Sequence, residues 1–137
     1  MQGKNLWGAI TYVANVRTPH EILLEQGELL VELTNGLLNF DIERCQKNTL
    51  FSYIFSLSVP KLNFSQPLLR VTHDIKLFPA ILRNDQSGEE YTANGQDEFE
   101  EDLGSILSAD ETKTLLCGLM AQAKLESSIS CGEEVMV

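Results

Sequence analysis

At Gly36 the hydrophobic period of this chain changes from about 3.6 residues to two. Before the change, "TPHEILLEQGELLVELTNG" reads as a helix over about 19–35. Thr18 can cap it, Pro19 suits its first position, and Glu21 completes a capping box. Ile22, Leu23, Leu29, Leu30 and Leu33 form one stripe that calls for burial, and Asn35-Gly36 supplies a left-handed exit. Gly27 costs this helix ~1 kcal/mol relative to alanine, so it marks either a close crossing with another element or nothing.

After the change the pattern alternates. Leu38, Phe40 and Ile42 make one strand; Phe51, Tyr53, Phe55, Leu57 and Val59 make the next, with a turn at 46–48. Residues 61–67 read as a loop. Leu69, Val71, His73, Ile75 and Leu77 share a parity opposite to Arg70, Thr72, Asp74 and Lys76. Pro79 cannot donate to a ladder, so the strand bends, lies at an edge, or breaks in two there. "EYTA" is a last short strand. Two helices follow, over about 96–107 and from a Ser108/Glu111 capping box to about 125.

Strands grouped between helices predict an α+β domain. The expected architecture has two layers. An antiparallel meander of about four strands is covered on one face by the N-terminal helix and the two C-terminal helices. At 137 residues and 43% hydrophobic side chains, one domain over 1–126 can build a core, with 127–137 as a fraying tail. Residues 4–17 suggest a further short helix, or else an arm whose Trp7 packs on the body.

The formal net charge is −10, of which −1 falls in residues 1–68 and −9 in residues 69–137. Such a chain is repelled by nucleic-acid backbones and anionic membranes. No apolar run approaches the ~18 residues of a membrane span, and the N-terminus does not read as a signal peptide. Cys45, Cys117 and Cys131 are odd in number and widely spaced, which predicts reduced thiols and a cytoplasmic setting.

The segment "QDEFEEDLGSIL" gathers Asp97, Glu98, Glu100, Glu101 and Asp102. Measured from the stripe of Phe99, Leu103, Ile106 and Leu107, all five acids fall roughly 75° or more away on a helical wheel. They read as a solvated face or a docking surface for a basic partner, with Glu98, Glu101 and Asp102 as candidates, rather than as a catalytic or metal cluster. The acidic turn at 84–98 lacks the residue order of a calcium loop.

His73 lies on the apolar parity of its strand, as a core histidine or the marker of a pocket under the helices; Asp74 points to the opposite face. His20 is expected at the surface. The histidines and cysteines have no zinc spacing, and no nucleophile elbow or phosphate loop is present, so no metal, cofactor or catalytic residue is expected. The outer sheet face should carry Arg70 and other polar residues, with Ile54 and Phe78 as apolar spots, and reads either as plain solvent surface or as a face for a partner or for self-association. The resulting expectation is a non-catalytic interaction protein that dimerises or binds a basic partner. An inhibitor of a basic toxin, as immunity proteins are, fits that class. The alternative is a small-molecule binder or enzyme with its pocket near His73.

Overall fold

The computed structural model describes residues 3–9 and 16–128. Its elements run α1 (Pro19–Leu33), β1 (Asn39–Lys47), β2 (Leu50–Val59), a short 3-10 turn (Pro60–Leu62), β3 (Phe64–Asp74), β4 (Ala80–Asn84), β5 (Glu90–Ala93), α2 (Gln96–Leu107) and α3 (Asp110–Ser128). The strands form one antiparallel sheet in the order β1-β2-β3-β4-β5. This is the expected α+β meander, with five strands where about four were counted.

The fifth strand arises at Pro79. β3 ends at Asp74, Leu77 takes a left-handed φ of 78°, and the Phe78-Pro79 bond is cis. The chain reverses over 75–79, and Ala80 pairs back on His73. The reversal also ends the alternation. Ile75 becomes 59% exposed, and Phe78 leaves its expected outer face to meet Phe99 edge-on at 6.3 Å. The supposed loop at 61–67 is mostly strand, because β3 begins at Phe64. A bulge opposite Phe55/Ser56 lets Leu68 and Leu69 both turn inward.

The alternation of β2 is complete. Phe51, Tyr53, Phe55, Leu57 and Val59 are buried, and the residues between them are half-exposed. They join Val71, Ala80, Leu82 and Ala93 under Ile22 and Leu23 of α1, Phe99, Leu103 and Ile106 of α2, and Leu119 and Ala123 of α3.

Local chemistry sets the helix ends. In α1 the Glu21 N–H donates to Thr18 Oγ1 (3.1 Å), and the Thr18 N–H donates to Glu21 Oε1 (2.9 Å), which completes the box. Asn35 and Gly36 take left-handed φ values of 52° and 81°, as the exit requires. The box expected at the start of α3 does not form. Ser108 instead closes α2, its hydroxyl donating to the Gly104 carbonyl (2.7 Å), and α3 starts at Asp110. Residues 3–9 are not helical and leave Trp7 83% exposed, so Trp7 does not pack on the body; residues 10–15 of the helix expected there lie outside the described residues. Likewise α3 reaches Ser128, and the expected tail beyond it lies outside them.

Gly27 marks a close crossing. A Cβ there would stand 2.5 Å from the ring of Phe40, and that ring is itself stacked on Phe55 at 5.7 Å. The ring contact reaches Cγ, near the root of the side chain, so Phe40 cannot swing clear. Gly27→Ala gains ~1 kcal/mol of helix propensity but should lose about 1–3 kcal/mol to overpacking. Net destabilisation is expected in urea unfolding, and Phe40→Ala should abolish the penalty of the glycine substitution in a double-mutant cycle. An additive cycle would refute the contact. On α2, Leu103→Ala should cost ~2–5 kcal/mol, while joint neutralisation of Glu98, Glu101 and Asp102 should leave the fold intact by circular dichroism.

Candidate interaction site

The acids are distributed by layer, not by half of the chain. α1 carries Glu21, Glu25, Glu28 and Glu32 with no lysine or arginine. α2 carries Asp97, Glu98, Glu100, Glu101 and Asp102, again with no base. α3 adds Asp110, Glu111 and Glu126 against Lys113 and Lys124. Twelve acids and two bases give the helical layer −10, equal to the formal charge of the whole chain. The strands balance, with Asp41, Glu43, Asp74 and Glu90 against Arg44, Lys47, Arg70 and Arg83.

One base is set between the acidic helices. Arg17, just before α1, donates to Glu25 of α1 (2.8 Å) and to Glu100 of α2 (3.0 Å), while its N–H donates to Gln96 Oε1 (3.1 Å). The hydrogen bond from Arg17, aided by one from Gln96, holds the Glu100 carboxyl below its ordinary value. Asp102 is moved the other way, first by desolvation and then by Glu101 and Glu98.

The apolar stripe of α1 runs further than its cover. Ile22 and Leu23 are buried as expected, but Leu29 is 40% and Leu33 77% exposed. With Leu30, they wall a cavity of about 210 Å³ completed by Leu107 of α2 and Leu116 of α3, over a floor of Phe55, Leu57 and Leu68. A second cavity of about 260 Å³ continues between α1 and α2 to Arg17, Glu25 and Glu100, sharing Gln26 and Leu107 with the first. Together they form a groove that is apolar at one end and charged at the other. A third, open depression of about 540 Å³ lies at the start of α2, between Val16 and residues 94–98.

The sequence-derived candidates fall on separate surfaces. Glu98 and Glu101 are exposed on α2 and Asp102 is half-buried there. Glu98 also serves locally, accepting from the Asn94 N–H at 2.9 Å. Ile54 and Arg70 lie on the open face of the sheet, away from α2. They belong to one cross-strand row, Glu43–Ile54–Arg70–Arg83–Glu90. The stems of Glu43 and Arg70 can lie over Ile54, which is half-buried. Arg70 is bridged to Asp85 at 3.1 Å.

His73 is 4% exposed, with its ring stacked near Phe51 (5.5 Å) and Tyr53 (5.6 Å). His20 is half-buried, not fully exposed as expected, and stacks on Tyr53 at 4.9 Å. A carbonyl only accepts, so His73 Nδ1 carries the proton and donates to the Asp74 carbonyl oxygen (2.6 Å). Its Nε2 is buried with no hydrogen-bond partner. None of the three cavities reaches His73. Among the described residues, no group of three or more His, Cys, Asp or Glu side chains could hold a metal ion, and no helix is long and apolar enough to cross a membrane.

The lowered carboxyl of Glu100 fixes a pH dependence. Its stabilising contribution is present above the unfolded-state value and is lost as pH falls through the lower folded-state value. Arg17→Met should therefore lower stability at neutral pH, with the difference from wild type vanishing in acid, and should raise the Glu100 titration midpoint read by carboxyl NMR. An unmoved midpoint would show that Arg17 does not set it. The chain matches no protein-family model, no curated protein and no solved structure.

Proposed function

We propose that this protein is a non-catalytic interaction module that receives a basic, amphipathic segment of a protein partner in the groove between α1 and the C-terminal helices. One observation carries the reading: exposed leucines of α1 open onto an apolar trough inside the layer that holds the full net charge. A helix laid in such a groove uses apolar anchors at helical spacing. Its basic flank would meet the acidic field, which raises the rate of encounter and selects against acidic competitors.

Cavity shape favours a segment over a small molecule. The two compartments, about 210 and 260 Å³, share Gln26 and Leu107 and follow one another between α1 and the C-terminal helices, a shape suited to successive side chains. An enzymatic or small-molecule site at His73 is the weaker reading, supported only by its unpartnered Nε2. The acidic layer disfavours nucleic acid as a partner. Exposed free thiols at Cys45 and Cys117 fit a reducing, cytoplasmic setting.

The test is fluorescence anisotropy with two designed helical peptides of identical apolar face, one with lysines opposite and one with glutamates. The lysine peptide should bind saturably and weaken as salt rises; the glutamate peptide should not bind. Leu33→Glu should weaken the lysine peptide at least tenfold, about 1.4 kcal/mol. Undiminished binding to that variant, or equal binding of both peptides, would overturn the reading.

A further inference from the structure

The edge strand β1 is nine residues long, and its register with β2 runs unbroken from Asn39↔Ser58 to Lys47↔Leu50. Exposed sheet edges are commonly blunted by brevity, a bulge, proline or charged side chains. β1 is not short, bulged or interrupted by proline, so its charges, Asp41, Glu43, Arg44 and Lys47, decide what it can pair with, and Glu43–Lys47 are all exposed. The opposite edge, β5, has only four residues.

β1 also matches itself. Asp41, Glu43, Cys45 and Lys47 point to the open face of the sheet, and Phe40, Ile42, Arg44 and Gln46 to the helical face. A two-fold axis through an antiparallel pair keeps each face on its own side, so it must pass at a residue. At Glu43 it opposes two glutamates; at Arg44, two arginines; at Ile42, Asp41 against Glu43. At Cys45 it sets Glu43 against the Lys47 of the second copy, twice, and Arg44 against Gln46. Among centres from Asp41 to Lys47, this one alone pairs opposite charges directly without a like pair. The strands are neutral and the helices hold the net charge, so charge opposes the meeting of two copies least along the sheet.

We infer that a second copy of this chain pairs on β1, antiparallel about Cys45, to join two sheets into one of ten strands. The groove lies on the other side of α1 from this edge, so the inference stands independently of the function proposed above. Cys45 then faces its own copy with Cα atoms ~4.5–5.5 Å apart, within disulfide reach.

Light scattering across a concentration series tests the pairing. Wild type should rise toward twice the monomer mass. Glu43→Lys and Lys47→Glu should each weaken association at least tenfold, and the double variant, which restores the pair with its charges exchanged, should recover it. Circular dichroism checks that each variant is folded. Register is read with Cys117 and Cys131 replaced by serine. Diamide should then link two Cys45 thiols, taking up both thiol hydrogens as it is reduced to the hydrazine, and should do so far less in the Glu43→Lys variant. A wild type that stays monomeric, single variants that associate normally, or a double variant that fails to recover would each overturn the inference.

Discussion

Five side chains of β2 — Phe51, Tyr53, Phe55, Leu57 and Val59 — are withdrawn from water on one side of the sheet, and everything else in the molecule is arranged around keeping them dry. A sheet with one such face has to be covered, and three short helices are the cover. Each contributes a few residues at the helical period, and each would be marginal alone. The opposite face of β2, with Ser52, Ile54, Ser56 and Ser58, needs no second layer.

Covering that face has a geometric side effect. α1 packs over β1, close enough at Gly27 to touch Phe40, and α2 packs on β4 and β5. Helices fixed at the two sides of a sheet leave a channel between them wherever α3 does not fill it. The C-terminal part of the α1 stripe borders that channel. Because the outer surfaces of the helices are acidic, an apolar trough and a strong negative field arise on the same side of the molecule.

The fold was largely legible in the chain because its signals are local. The Thr18/Glu21 box, the Asn35-Gly36 exit and the period-two run of β2 depend on neighbours within a few residues. The features that escaped depend on distant parts. Parity could not foresee that Leu77 would turn left-handed and carry Phe78 inward. Ser108 had the spacing of a cap for α3 but was claimed by α2. The exposure of Leu29 and Leu33 follows from how far α2 and α3 extend over α1, which no periodicity encodes. Charge misled in the same way. Counted along the chain, the N-terminal half looks nearly neutral; folded, the acids of α1 join those of α2, and the bases that offset them lie in the strands or in loops.

A plate charged on one side only has a large electric dipole as well as a net charge. In the field of a cationic surface such a body experiences a torque, and it turns during diffusion until its charged side leads. This protein would thus arrive with its helices forward and its sheet trailing, whatever its initial orientation. A partner of that charge would meet the helical face more often than the sheet, because orientation is biased before contact is made.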